Sequence, residues 1–363
     1  MIATINQYSK RIDDIRAKFE EWEIDAFLIG STANRRWLSG FTGTAGLLLV
    51  SPKIAVLGTD SRYWEQARNQ APNFELEQFR KSMEEEWSGF LVRDNIKRIG
   101  IEVEKTTLGQ YKDLQAVEGI EWVKLENAIA PFREAKNEEE IKLIRTAAAI
   151  TDQAMMQVSK IMKPGMTERE VAWKLEVLMR ESGAEGMAFP IIIASGPNGA
   201  MAHHNPSDKI IEDGEAVIVD MGARANGYNG DLTRTFFMGD GHDPRFVEIY
   251  DIVAEAQKAA IAGLKAGVTG KSVDALARDV ITNAGYGKEF GHSLGHGIGL
   301  DVHEGPRLSV YATDALIPSG AAVTIEPGIY IDGWGGVRIE DLALVKEDSL
   351  EIISQCEKKP VIS

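Results

Sequence analysis

The sequence predicts an α+β protein of two domains, a smaller α/β domain over residues 1–130 and a larger one over residues 131–363. Three observations predict it. A chain of 363 residues is long enough for two buried cores. Up to about residue 130, short apolar runs alternate with helical stretches. Beyond that point a helix-then-hairpin pattern occurs twice, which predicts a pseudo-twofold domain with a shared sheet.

The elements follow in order. MIATINQYSKRIDDIRAKFEEWEIDAFLIG reads as an amphipathic helix leading into a strand, and it lacks the apolar core of a signal peptide. DAFLIG, AGLLLV, KIAVLGT and RIGIEVE read as strands, and the stretches around YWEQARNQ and LGQYKDLQAV as helices. That alternation is the signature of an α/β layer structure. The charged segment FREAKNEEEIKLIRTAAAITDQAMMQV then opens a long helix, so the boundary falls near Pro131.

The repeat has two parts. KPGMTEREVAWKLEVLM (163–179) matches KAGVTGKSVDALARDVI (265–281), with Lys, Gly, Thr and Val recurring. Each copy reads as a turn and a helix, and Thr167 with Glu170 forms a capping box. GEAVIVDMGARANGYNGD (214–231) matches GAAVTIEPGIYIDGWGGV (320–337), and each reads as a strand, a turn and a second strand. GVTGKS (267–272) is not a phosphate loop: it follows a helix, and Lys265 stands where the first glycine is needed.

Bulk properties narrow the function classes. Hydrophobic content of 44% and charged content of 26% are those of a soluble globular chain. A net charge of −15 argues against a nucleic-acid partner and an anionic membrane surface. No run of 18 apolar residues is present, so no membrane span is expected. The single cysteine, Cys356, cannot form an internal disulfide, which fits a reducing, cytoplasmic compartment. It lies in SQCEK near the end with no histidine nearby in sequence, a poor setting for a catalytic thiol.

GHSLGHGIGLDVHE (291–304) holds three of the six histidines. The zinc-protease pattern HExxH fails, because Arg307 stands where the second His is needed. His292 and His296 have helical spacing, but Gly291, Gly295, Gly297 and Gly299 would each cost about 1 kcal/mol in a helix. Any metal partners of these histidines therefore come from elsewhere in the chain.

The repeat points to them. Asp220 ends the apolar run VIVDMG and its mate Glu326 ends VTIEPG. Asp231 begins the return strand of the first hairpin, and Glu340 lies on the return strand of the second. Any one of these acids alone reads as a turn or a surface salt bridge. Together, on core strands, they are costly to bury unpaired. Arg234 and Arg338 can neutralise only part of that charge. Carboxylates with one imidazole suit Mn²⁺, Co²⁺, Fe²⁺ or Zn²⁺. This many anionic ligands suits two ions, which about 3.5–4 Å apart acidify a shared water.

The motifs DMGARANGYNGDLTRTF, GHGIGLDVHE, IEPGIY and VRIEDL resemble those of the pita-bread dinuclear metallopeptidases, which include methionine aminopeptidase, aminopeptidase P and Xaa-Pro dipeptidase (prolidase). The likeness covers roughly residues 131–360, and NRRWLSGFTGTAGLLLV is similar to the N-terminal domain of the prolidase and aminopeptidase P group. It implies a pita-bread catalytic domain, helices around a curved antiparallel sheet, behind a creatinase-like α/β domain that limits access and supports a homodimer. It implies Asp220, Asp231, His296, Glu326 and Glu340 as ligands of two divalent ions per subunit, Mn²⁺ or Co²⁺ first, with Zn²⁺ or Fe²⁺ as alternatives. Asp231 and Glu340 would bridge both ions, and Glu326 would also handle the proton of the bridging water. His203 and His303 would contact the substrate carbonyl and the intermediate, and Arg338 would hold the ligands or the substrate carboxylate.

Other residues have competing readings. His203 matches the family's histidine before a PSD-like turn, yet His204 stands beside it, and the spacing to Asp220 favours His203. His292 reads as a structural loop residue that orients its neighbours. His242 reads as an exposed loop residue, and Tyr228 and Trp334 as packing residues of the hairpins. Phe189 either lines a pocket for a proline ring, as in relatives, or is a core residue.

The resemblance thus implies an exopeptidase that hydrolyses the bond between an N-terminal residue and proline in short peptides. Creatinase-like hydrolases, other lyases and hydrolases on this fold, and peptide-binding modules are the alternatives. Creatinase-like relatives and peptide-binding modules tend to lose metal ligands, whereas all five positions are filled here. The sequence does not separate dipeptidase from aminopeptidase.

Overall fold

The computed structural model of the protein describes residues 2–93, 95–239 and 243–362. The chain divides into two compact units, Met1–Pro131 and Phe132–Ser363.

In the first unit the apolar runs form the four central strands of a six-stranded mixed sheet. Its order is Glu75–Phe79, Ala55–Asp60, Leu47–Val50, Ala26–Ile29, Arg98–Glu102, Glu121–Leu125. The helices Ile2–Arg16, Trp64–Gln70 and Leu108–Gln115 stand where the sequence places them. The two outer strands were not legible. ELEQF and EWVKL each bury a single residue, so no apolar run marks them, and such charged edges deter pairing with other chains. The helices Thr32–Ser39 and Met83–Leu91 are also additions to the sequence reading. Ser31 caps the former by accepting from Asn34 N, and Gly40 ends it at φ 77°, where only glycine is at ease. On that helix Arg35 is buried, donating to the carbonyls of Gly43 and Gly46 at 2.6 Å each.

In the second unit the long helix is Glu138–Met155, starting later than the charged segment suggests. Asn137 sets that start, because its side chain accepts from Glu140 N while Glu140 bonds back to the Asn137 backbone. Thr167 caps Glu168–Glu181 with the expected box to Glu170, and Thr269 caps Gly270–Asn283. The caps even make matching β-bridges, Thr167 to Ile210 and Thr269 to Leu316.

Each helix pair packs on half of the sheet. One half runs Val361–Ile362, Leu232–Met238, Ala216–Met221, Ile192–Ser195. The other runs Glu304–Leu308, Gly295–Gly297, Ala322–Ile325, Asp341–Val345, Leu350–Ile352. The repeat was read as strand, turn, strand; the turn is itself a small hairpin in both copies. Ala223–Ala225 faces Tyr228–Asn229, and Gly328–Ile331 faces Gly335–Arg338. The repeat mates Gly227 and Gly333 sit at the hairpin tips with φ 76° and 72°. The hairpins also need close approach: a Cβ on Gly222 would lie 2.0 Å from the Gly230 carbonyl oxygen.

The two half-sheets are stitched together between 233–235 and 338–340. Glu340 N donates to Thr233 O at 3.1 Å, Arg338 N to Thr235 Oγ1 at 3.0 Å, and Thr235 Oγ1 to Arg338 O at 2.9 Å. This seam brings the carboxylates of the two repeats face to face. Among the described residues, no helix is long and apolar enough to cross a membrane.

Candidate active site

Asp220 is the fifth residue of a strand buried along its whole length. Its partner across the ladder is Thr233. Asp231 and Glu340 each stand one residue before a strand rather than on it, at Leu232–Met238 and Asp341–Val345. Glu326 follows Ala322–Ile325, and His296 is the middle residue of Gly295–Gly297, which pairs with that strand. The five side chains predicted as ligands therefore come from strands, or the residues next to them, in both repeats.

They converge. Asp231, His296 and Glu340 each offer a ligand atom, and these atoms all lie within 4.8 Å of one another. His296 Nε2 is 3.3 Å from Glu326 Oε1 and 3.7 Å from Asp231 Oδ2. His296 Nδ1 faces the Gly297 carbonyl at 3.1 Å while Nε2 points at Glu326, whose hydrogen bond and charge outweigh burial and raise the imidazole's basicity; a cation in this site would take the place of the Nε2 proton. Arg338 Nη2 pairs with Asp220 Oδ2 at 2.6 Å, and Thr233 Oγ1 donates to Glu340 Oε2 at 2.7 Å. Asp220 Oδ1 is buried without a hydrogen-bond partner among the described residues.

The electrostatics follow from this crowding. Burial, and then the charges of Glu340, Asp220 and Glu326, push the Asp231 carboxyl well above its usual range. Burial, with Glu326 and Asp220, does the same to Glu340. Burial raises Asp220 as well, against the opposing pull of Arg338. Glu326 goes the other way: burial would raise it, but the hydrogen bond and charge of His296, with His292 and Arg338, hold it low. One guanidinium in contact cannot balance four carboxylates, three of them buried and Glu326 half-buried. The set of hard oxygens, an imidazole nitrogen directed into the cluster and an orphaned carboxylate oxygen fits divalent cations.

The remaining predicted residues surround this cluster. The His303 ring lies 4.3 Å from that of His296, centroid to centroid, and burial together with the His296 charge lowers its basicity. His203 is exposed, on a turn whose Ala202 carbonyl Arg338 Nη1 reaches at 3.4 Å. His204 turns the other way and bonds Glu168 at 2.8 Å. Phe189 is half-buried over Gly222, two residues from Asp220. Both nitrogens of His292 are engaged: Nδ1 faces Ser293 O and Nε2 the Tyr330 hydroxyl, at 2.8 Å each. It is thus not available as a ligand. Tyr228 is buried with its hydroxyl on Glu140, and Trp334 packs against the core of the second repeat under Arg245. Burial raises the Cys356 thiol above its usual range, which leaves it unreactive. His242 lies outside the described residues.

Arg234 corrects the sequence reading. It pairs with Asp341 at 2.8 Å and donates to the Glu340 backbone carbonyl, so it neutralises none of the four carboxylates. Strand alternation is the reason: Thr233 and Thr235 face the seam contacts, and Arg234 between them faces away.

Three residues escaped the sequence reading. Tyr330 accepts from Arg338 Nη1 at 2.7 Å and donates to His292, holding the guanidinium against Asp220. Thr233 touches both Glu340 and Arg338 Nε. Glu168 anchors the loop that carries His203. Tyr330 ends the motif IEPGIY, which is its only signal; a threonine inside an apolar strand and a glutamate at a helix start give none.

Residues 142–347 match the model of metallopeptidase family M24, and residues 11–135 match the creatinase/prolidase N-terminal domain. The chain is 39% identical to an Xaa-Pro dipeptidase from Pyrococcus horikoshii, over 97% of this chain and 98% of that one. An Xaa-Pro dipeptidase structure from Bacillus anthracis superposes with a TM-score of 0.95 at 40% identity, covering 98% and 100% of the two chains. An X-Pro aminopeptidase structure from Thermotoga maritima gives 0.88 at 36% identity, covering 97% and 99%. With Asp231, His296 and Glu340 gathered at the seam of a two-repeat sheet, the chain belongs to metallopeptidase family M24.

Proposed function

We infer that the protein is a metal-dependent exopeptidase that hydrolyses the bond between an N-terminal residue and proline in dipeptides or short peptides. The observation that carries the reading is the convergence of Asp231, His296 and Glu340 donors within 4.8 Å, among carboxylates that burial has left uncompensated. The named activities of the relatives supply the proline preference.

Asp220, Asp231, His296, Glu326 and Glu340 would hold two divalent ions; Mn²⁺ or Co²⁺ are our first choice, with Zn²⁺ or Fe²⁺ open to the same ligands. Such ions supply Lewis acidity, polarising the scissile carbonyl and lowering the pKa of water. The chain's own residues do the rest. Glu326, the one carboxylate of the four that its surroundings do not push up, would take a proton and pass it to the leaving proline nitrogen. His303, with its basicity lowered, and the exposed His203 are placed to hydrogen-bond the carbonyl oxygen as charge develops on it. Arg338, fixed by Asp220 and Tyr330, orients the ligand set or meets the substrate carboxylate. In this reading Phe189 lines the proline pocket. The N-terminal unit limits access and supports a cytoplasmic homodimer, which light scattering would report as twice the chain mass of 39.9 kDa; a monomer mass would refute the dimer.

The test is liquid chromatography of an equimolar mixture of Ala-Pro and Ala-Pro-Ala after incubation with Mn²⁺-loaded protein. Loss of Ala-Pro alone means a dipeptidase with a closed pocket. Release of free Ala from the tripeptide means an open, aminopeptidase-type pocket. Survival of both, with metal bound, refutes the proline specificity and points to another C–N hydrolase on this fold.

A further inference from the structure

One carboxylate organises the loop that bears His203. Glu168 opens the helix Glu168–Glu181, yet its side chain turns inward and the residue is fully buried. Its Oε1 accepts from Ser195 N at 2.8 Å, Ser195 Oγ at 2.8 Å and Asn198 Nδ2 at 3.0 Å. Its Oε2 accepts from His204 Nε2 at 2.8 Å, Ser207 N at 3.0 Å and Ser207 Oγ at 2.7 Å. The backbone closes the same ring, with Glu168 N on Lys209 O and Arg169 N on Ser207 O, both at 3.1 Å. Helix capping needs none of these six side-chain bonds, since Thr167 and Glu170 already supply the cap.

The loop's far side is a tight turn closed by His204 N to Met201 O at 3.1 Å, with Ala202 and His203 at its centre. Arg338 Nη1 reaches the Ala202 carbonyl at 3.4 Å. The turn is therefore gripped on one side of His203 by the guanidinium that pairs with Asp220, and on the other by Glu168 through His204. No side-chain hydrogen bond holds His203 itself among the described residues, so its placement depends on these two grips.

We propose that Glu168 and His204 form a positioning pair that fixes the turn carrying His203 beside Arg338 for the reaction. The role rests on the reading that His203 acts on the scissile carbonyl. It gives His204 a job that its neighbour's exposure hides: it is the loop's internal anchor rather than a second candidate for the chemistry.

The experiment compares His204→Ala, His204→Gln, His203→Ala and the double variant His203→Ala/His204→Ala as full-length Mn²⁺-loaded proteins. Misplacing a reacting group by about 1 Å lowers turnover on the order of 100-fold. The expected result is a 10- to 100-fold fall in kcat for His204→Ala on the better of Ala-Pro and Ala-Pro-Ala, about the range that such misplacement allows. KM and bound Mn²⁺ should stay unchanged. His204→Gln, whose amide can still donate to Glu168, should recover most of the loss. In the His203→Ala background the His204→Ala change should have almost no further effect, because both act through one group. Losses that multiply, an unchanged kcat, or a parallel loss of metal would overturn the proposal. An independent readout is the His203 ring Cε1–H resonance in ¹³C-histidine-labelled protein, which should shift and broaden in His204→Ala. If the wild-type protein cleaves neither peptide, the functional reading fails, and that resonance alone decides the positioning role: unchanged, it overturns it.

Discussion

Replacing Glu168 with Gln keeps the shape of the side chain and removes its charge. The structure sets the size of the effect. Burial alone would raise this carboxyl, but the donors Ser207, Asn198, Ser195 and His204 outweigh it and hold it down to about 2 from an ordinary 4.5. That difference corresponds to about 3 kcal/mol of folding stability at neutral pH. The sign follows from linkage. A depressed folded-state pKa contributes stability that is fully present above the unfolded value of 4.5, and it is lost as pH falls towards about 2. The variant's amide does not titrate, and its NH₂ must face three of the six donors. Urea unfolding of wild type and variant, followed by fluorescence and far-UV CD between pH 7 and the acid limit of folding, gives the difference directly. A gap of about 3 kcal/mol at pH 7 that narrows steadily below pH 4.5 is expected. A gap under about 1 kcal/mol, or one that stays constant as pH falls, would refute the charge-based account of this loop.

The carboxylate cluster has the opposite linkage. Asp231 and Glu340 have raised folded-state values, so metal-stripped protein should lose stability as pH rises from the ordinary carboxylate range through those values. Asp231→Asn should therefore stabilise the stripped protein at pH 8 by about 1–3 kcal/mol while abolishing hydrolysis; scanning calorimetry showing no gain contradicts the crowding argument. Tyr330→Phe removes the hydroxyl between Arg338 and His292. It should cost about 1–3 kcal/mol of stability and lower kcat more than it raises KM; steady-state kinetics with unchanged kcat would exclude a role for Tyr330 in holding Arg338.

Much of this was readable because the repeat carries it. The aligned glycines of the two hairpins, Gly227 and Gly333, mark the same backbone need, and the acids beside them mark the same chemistry. The buried runs DAFLIG, AGLLLV, KIAVLGT and RIGIEVE announced the inner strands, because burial on both faces demands continuous apolar sequence. What stayed hidden were residues whose surroundings depend on distant parts of the chain. ELEQF and EWVKL are strands only because an apolar neighbour offers an edge. Arg35 and Glu168 look like surface charges in sequence, yet each gathers backbone groups that the fold would otherwise bury unpaired. Arg234 and Arg338 are alike in composition, and only strand register decides which one faces Asp220.

The central claim is that the buried carboxylates and His296 exist to hold divalent cations. Isothermal titration of chelator-stripped protein with Mn²⁺, repeated on Glu340→Gln, tests it most directly. The account predicts saturable binding of two ions per chain in the wild type, proton release on binding, and loss of at least one ion in the variant. Absence of saturable binding, or identical stoichiometry in the variant, would contradict it.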